Sequence, residues 1–181
     1  MGQAELQRAG PRPDLSSIYH DEVAYVWDFL RYLGIPARDI EDVVHDTFLT
    51  VHRRLDTYDP SRPLRPWITG IAYRVASDYR RRARHRHEVM TDHAAASANS
   101  DPEQATRRRR ARDVLLRVLE EMSPERRAVF FLHEMEERSV VEIAEMLDVP
   151  INTLYSRLRR ARQQFERAVD RHRRSGKGGA R

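Results

Sequence analysis

Groups able to move a proton or hold a metal occur in this chain, but nothing in their spacing brings them together. None of the 181 residues is cysteine, which removes thiolate ligands, cysteine nucleophiles and disulfides. The eight histidines are scattered. The run from His133 to Glu137 reads HEMEE and fails as a zinc-binding HExxH helix, because position 137 is glutamate. His45, Asp46 and His52 share one helical stretch, yet Asp46 sits about 100° round that helix from His45. No second segment offers a further ligand, and there is no phosphate-cradling loop or serine elbow. The sequence predicts a protein that is not an enzyme and needs no metal or cofactor.

The chemistry that is arranged is recognition by guanidinium, amide and hydroxyl groups. From Ser139 the chain reads SVVEIAEMLDVPINTLYSRLRRARQQFERAV. At about 100° per residue, Leu154, Leu158, Ala161, Phe165, Ala168 and Val169 gather in one arc of the last helix. Asn152, Ser156, Arg159 and Gln163 fall opposite, flanked by Arg160 and Thr153, with Tyr155 at the side. Those groups, at the start of a helix, are the ones that hydrogen-bond base edges in a major groove. A flanking tyrosine suits a phosphate or a sugar.

Such a face needs a scaffold, and the preceding residues supply one. Ser139 and Glu142 form a capping box that opens a short helix to Leu147. Asp148-Val149-Pro150 makes a tight turn, and the long arginine-rich helix follows from 151 to about 172. Short helix, three-residue turn and longer basic helix are the grammar of a helix-turn-helix. Two more helical stretches precede it, at about 103–121 and 124–136, the second opened by Ser123 with Pro124 in its first turn.

The N-terminal half reads as three helices. The first runs from about Leu15 to Leu33 and stops at Gly34-Ile35-Pro36. The second starts at Asp39, a good N-cap residue, and reaches Leu55. It buries Ile40, Val43, Val44, Thr47, Phe48, Val51 and Leu55. Leu49 faces the other way, among Asp42, His45, Asp46 and Arg53, as the anchor of a contact with a basic partner would. A loop over Tyr58–Pro66 holds three prolines and leads into a helix from Leu64 to Arg86. That helix is expected to bury Leu64, Trp67, Ile68, Ile71, Val75 and Tyr79, with Ala72 at the edge. Its other side would present Tyr73, Ser77, Arg80 and Arg81, with Arg74 nearby. An aromatic ring among arginines suits single-stranded DNA, since bases stack while guanidinium groups follow phosphates. Tyr58 and Asp59 in the loop would line a pocket for an extruded base.

Charge supports two places of contact with a polyanion. Residues 14–59 and 113–153 each carry ten acids and four bases. Residues 80–112 carry ten bases against four acids, and 154–181 ten against two. Lys177 is the only lysine; arginine's planar fork suits phosphate and guanine. No run of 18 apolar residues and no signal-peptide core occurs, so a soluble cytoplasmic protein without membrane insertion is expected. The stretch 87–104 is small, polar and aperiodic and reads as a flexible linker. The expected organisation is a loose tail at 1–13, a domain at 14–86, the linker, a domain at 105–172 and a disordered basic tail at 173–181. The class is all-α: two small helical domains, the second a helix-turn-helix.

These residues carry a family resemblance. DIEDVVHDTFLTVHRRLDTYDPSRPLRPWITGIAYRVASDYRRR resembles the second conserved region of extracytoplasmic-function (ECF) sigma factors of bacterial RNA polymerase. DPEQATRRRRARDVLLRVLEEMSPERRAVFFLHEMEERSVVEIAEMLDVPINTLYSRLRRAR resembles their fourth region, with EIA and TLYSRLRRAR its most recognisable strings. Together the two cover roughly 15–170, in the family's compact form with no extra C-terminal domain. The resemblance implies that the helix bearing Asp42, Asp46, Leu49 and Arg53 binds the clamp coiled coil of core polymerase. It implies that Tyr58, Asp59, Tyr73, Arg74, Ser77, Arg80 and Arg81 open and hold the minus-ten strand. Asn152, Thr153, Tyr155, Ser156, Arg159, Arg160 and Gln163 would read the minus-thirty-five duplex. Two positions depart from the pattern: Arg74, where asparagine is frequent, and Tyr155, where lysine or arginine is usual. An anti-sigma partner is implied by the resemblance alone. The rival reading is a stand-alone helix-turn-helix regulator, which would need no exposed Leu49 and no strand-holding face in its N-terminal half.

Overall fold

The structure, a computed structural model, describes residues 14–85 and 115–177. The tail at 1–13, the linker at 87–104, most of the helix expected at 103–121 and the end of the basic tail lie outside them. The described residues are helical with no strand among them, and they fall into two compact units. One holds 14–31 and 35–85, the other 115–177 together with Tyr32–Gly34.

Helix α1 spans Leu15–Tyr32, all but its last residue in the first unit. Asp14 caps it, its carboxylate accepting from the Ser16 N–H at 3.2 Å. The helix ends as the sequence predicts. Gly34 adopts φ +85, where an added Cβ would be strained, and the Ile35 N–H reaches back to the Leu30 carbonyl at 3.1 Å. Helix α2 spans Ile40–Arg54 and passes into a 3₁₀ turn at Leu55–Thr57. Asp39 precedes α2 but its side chain does not cap it. The carboxylate instead accepts the Tyr79 hydroxyl at 2.7 Å and Arg38 Nε at 3.3 Å. Local propensity chose the position, and a residue forty places on took the group. The expected core of α2 is buried except Leu55, which is partly exposed; buried Thr47 bonds the Val43 carbonyl at 2.7 Å.

Helix α3 spans Leu64–His85 and departs furthest from expectation. Ile68, Thr69, Ile71, Ala72, Tyr73 and Ala76 are all buried, while Leu64, Trp67, Val75 and Tyr79 are only partly so. The reason is that α3 is packed from two directions. Thr69 Oγ1 meets the Tyr25 hydroxyl of α1 at 3.1 Å, and Arg65 Nε meets Glu22 of α1 at 2.8 Å. On its other flank, Tyr79 bonds Asp39 and Arg82 lies 3.8 Å from Asp46 of α2. A helix held on two sides has no single apolar stripe for a wheel to find.

The second unit begins with helical residues 115–120 (α4), followed by α5 at Pro124–Phe130. Arg127 donates to the Glu120 and Met122 carbonyls at 3.0 Å each, satisfying groups that the end of α4 leaves open. The segment expected to continue as an α-helix to 136 instead widens into a π turn at Phe131–Met135. The chain then reverses through Glu137 at φ +54. Helix α6, Val140–Leu147, has the capping box in full: Ser139 Oγ accepts from the Glu142 N–H at 3.2 Å, and Glu142 Oε2 from the Ser139 N–H at 2.8 Å. It stops at Asp148 in the left-handed conformation, φ +56. Helix α7 runs from Ile151 to Lys177. The basic tail expected to be disordered from 173 is therefore helical to 177, where basic sequence meets the negative end of the helix dipole. Val118, Leu119, Met122, Phe130, Ala161 and Ala168 form the core of this unit, with Leu115 and Phe165 against it.

Candidate nucleic-acid and protein interfaces

Helix α7 is fixed at its start by backbone bonds and along its length by side chains. The Pro150 carbonyl accepts from Thr153 at 2.9 Å and from Leu154 at 3.1 Å. Leu154, Leu158, Ala161 and Ala168 are buried, and Phe165 packs on Phe130 with ring centroids 4.9 Å apart. Arg162 Nε bonds Glu134 at 2.7 Å, Arg126 bonds Gln164 at 3.1 Å, and Arg171 bonds Glu121. These ties hold the inner face and leave the outer one open. Asn152, Tyr155, Ser156, Arg159, Arg160 and Gln163 are exposed, and Thr153 is half-buried beside them. Ser156 donates its hydroxyl to the Thr153 carbonyl at 2.8 Å, so only its lone pairs face outward. Sequence reasoning missed one member of this surface, Ile151, which is exposed four residues before Tyr155. Its place on the Tyr155 flank of the wheel was the available signal.

The outward stripe of α2 is as expected. Asp42, Asp46, Leu49 and Arg53 are all exposed, at spacings of four, three and four residues. Leu49 is 38% exposed. Beside it a recess of about 260 Å³ opens between α2 and α3, lined by Asp46, Leu49, Thr50, Arg53, Val75, Asp78 and Arg82. Asp78 and Arg82 were not singled out from sequence, because their place at this stripe depends on how α3 packs on α2.

The strand-holding face needs a correction. Tyr73, expected to stand among arginines, is only 9% exposed. It follows by one turn Thr69, whose hydroxyl meets Tyr25 of α1. Ser77 and Arg80 are half-buried, the Ser77 hydroxyl donating to the Tyr73 carbonyl at 2.8 Å, while Arg74 and Arg81 are exposed. The partly accessible aromatic rings next to α3 lie at the loop instead. Tyr58 and Trp67 are both half-buried, with ring centroids 5.1 Å apart. The Tyr58 hydroxyl donates to the Arg62 carbonyl at 2.5 Å. Desolvation, then the charge of Asp59, pushes the Tyr58 phenol above its usual range. Asp59 closes the loop by accepting from Ser61 Oγ at 2.7 Å and Ser61 N–H at 2.9 Å, which holds its carboxyl below the ordinary value. A loop ordered by its own hydrogen bonds presents an aromatic pair and a carboxylate beside a basic helix.

Comparison with known proteins finds a family match for each half of the chain. Residues 18–86 match the family described as Sigma-70 region 2, and 112–165 match Sigma-70, region 4. The chain is 30% identical over 149 residues to the RNA polymerase sigma factor CnrH of Cupriavidus metallidurans, covering 77% of this chain and 78% of that one. It is 28% identical over 146 residues to the ECF RNA polymerase sigma-E factor of Escherichia coli K12, covering 75% and 76%. Among solved structures, CnrH in complex with the cytosolic domain of CnrY is similar with a TM-score of 0.59 at 25% identity, over 86% of this chain and 87% of that one. Bartonella quintana RpoE, solved with the anti-sigma factor NepR, shares the fold with a TM-score of 0.68 at 20% identity, over 87% and 97%.

Proposed function

The chain belongs to the extracytoplasmic-function sigma factors of bacterial RNA polymerase, and from that premise we propose which of its surfaces carries each step of initiation. A protein of this family binds core polymerase and directs promoter-specific transcription initiation. The α2 stripe of Asp42, Asp46, Leu49 and Arg53 docks on the clamp coiled coil, a basic helical partner. Leu49 fills an apolar depression there while the acids meet its charges. The outer face of α7, from Asn152 to Gln163, reads the minus-thirty-five duplex. The Tyr58 loop, with Asp59, Trp67, Arg74 and Arg81, captures the melted minus-ten strand.

The observation that carries this assignment is the exposed Leu49 within a stripe of charged residues, in a unit separate from the helix-turn-helix. A stand-alone regulator has no use for it. The proposed limits are 14–86 for the polymerase-binding domain and 105–172 for the duplex reader, joined by 87–104. The protein acts in the cytoplasm, performs no catalysis itself and takes no cofactor. Among the described residues no helix is long and apolar enough to cross a membrane. Since the similar RpoE of Bartonella quintana is solved in complex with the anti-sigma factor NepR, an anti-sigma partner that occludes these surfaces is proposed here too.

The test is analytical gel filtration with bacterial core polymerase. The wild-type chain is expected to co-elute at one-to-one stoichiometry. Leu49→Arg should elute alone while keeping its circular dichroism spectrum. Unchanged co-elution of the variant would remove Leu49 from the interface. Tight duplex binding by the free chain, with no affinity for core, would favour the regulator.

A further inference from the structure

Ile151 and Tyr155 stand four residues apart on the first two turns of α7, 38% and 56% exposed. Side chains at that spacing lie along one line of a helix, so the pair makes a short apolar ridge that runs on to Arg159. A second line, Asn152, Ser156, Arg160 and Gln163, lies beside it and is entirely polar and exposed. The inner face of α7 is already filled by Leu154, Leu158 and Ala161, so the ridge has no place in the core of its own unit. It is bordered by two exposed arginines, which favour a polyanion over a protein groove of ordinary composition.

One apolar group stands on the major-groove edge of duplex DNA, the 5-methyl of thymine. Building on the proposed role of α7, we infer that Ile151 and Tyr155 make thymine methyl groups a specificity determinant of the upstream promoter element. The Tyr155 ring is the contacting part, and its hydroxyl is left for solvent or a phosphate. Ser156 supports this division of labour. Its proton is committed to the Thr153 carbonyl, so it offers acceptor lone pairs, which suit the amino groups of adenine or cytosine. Thymine O4 is itself an acceptor, so Ser156 in this state has nothing to give it. A thymine at this ridge is recognised through its methyl group.

Deoxyuridine differs from thymidine by that methyl alone, which makes the test direct. Holoenzyme assembled from core polymerase and the full chain first selects promoters from a library randomised upstream. Each thymine of the selected element is then replaced singly by deoxyuridine, and competition binding is measured. At one or two positions the replacement should weaken binding about two- to fourfold, the scale set by one buried methyl. Ile151→Ala/Tyr155→Ala should bind both duplexes alike, and Tyr155→Phe should discriminate as wild type does. Both residues are exposed, so circular dichroism should be unchanged in all variants. Equal binding of thymine and uracil at every position overturns the inference, as does loss of discrimination in Tyr155→Phe. A library that returns no upstream sequence preference overturns both the inference and the duplex-reading role beneath it. A clear preference without methyl sensitivity overturns the inference alone.

Discussion

Arg65 Nε lies 2.8 Å from the Glu22 carboxylate, and the same guanidinium sits 4.8 Å from the centre of the Tyr25 ring. One side chain of α3 thus ties down two residues of α1. Glu22 is buried, and a buried carboxylate without a partner is costly to keep. Arg65 remains nearly half exposed, so solvent screens the pair and its worth falls below that of a fully buried one. Arg65→Met should lower the unfolding free energy by about 1–3 kcal/mol. Adding Glu22→Leu should restore much of the loss, because the stranded charge goes with it. Urea unfolding of the two variants checks both statements, and equal midpoints for Arg65→Met and wild type would show that the pair contributes nothing.

The Ser139 and Glu142 box makes a prediction in pH. Glu142 accepts from the Ser139 N–H, and this holds its carboxyl below the ordinary 4.5. A carboxyl lowered in the folded state contributes stability above its unfolded value and loses it as pH falls through the folded value. The helix-turn-helix should therefore weaken below pH 4.5, over the window down to the lowered value. Glu142→Gln keeps a side chain able to bond the same N–H but does not titrate, so this part of the acid limb should disappear. Ser139→Ala should cost about 1 kcal/mol even at neutral pH, through loss of the bond to the Glu142 N–H. Thermal melts at neutral pH and at about pH 3 separate the two effects.

What was legible in the sequence divides by the range of the interaction. The capping box at Ser139, the proline after Ser123 and the glycine stop at Gly34 are decided within five residues, and each stands where expected. The Leu49 stripe was legible because α2 buries one face only. The Asp39 carboxylate, claimed by Tyr79, and the burial of Tyr73 were not, since both depend on how α3 packs. The wheel treats a helix as having one neighbour, and α3 has two. Neither the π turn at Phe131–Met135 nor the reversal at Glu137 leaves a mark in the hydrophobic period.

The shift of the aromatic surface from Tyr73 to Tyr58 and Trp67 separates two outcomes. Tyr58→Ala removes a half-exposed ring from a loop that can meet an unstacked base. It should reduce permanganate reactivity of melted minus-ten thymines by an amount equivalent to about 1–3 kcal/mol per lost stacking contact. Co-elution with core polymerase should be retained, since Tyr58 lies outside the α2 stripe. Tyr58→Phe, which keeps the ring and gives up the bond to the Arg62 carbonyl, should open promoters nearly as well. Tyr73→Ala should act through stability instead, costing about 3 kcal/mol as a buried aromatic truncation. If Tyr73→Ala proves stable yet fails to open promoters, the strand-holding surface reverts to α3.

Arg160 and Arg167 are both exposed arginines of α7, two turns apart, and they should respond differently. Arg160 belongs to the line of Asn152 and Ser156 near the start of the helix, where a docked major groove brings base edges within reach. Arg167 stands further along, beyond Gln163, and in the proposed docking it meets only the sugar-phosphate backbone. A contact with a guanine edge carries about 1–3 kcal/mol of discrimination, whereas a phosphate contact carries none and adds about one unit to the slope of affinity against salt. Arg160→Ala should therefore weaken binding to the selected upstream element far more than to a scrambled one, with the salt slope little changed. Arg167→Ala should weaken both duplexes alike and flatten the slope. Holoenzyme titrations on the two duplexes at several salt concentrations supply both readouts at once. Should Arg160→Ala weaken both duplexes equally, its guanidinium rests on a phosphate, and sequence reading must come from Asn152, Ser156 and the ridge beside them.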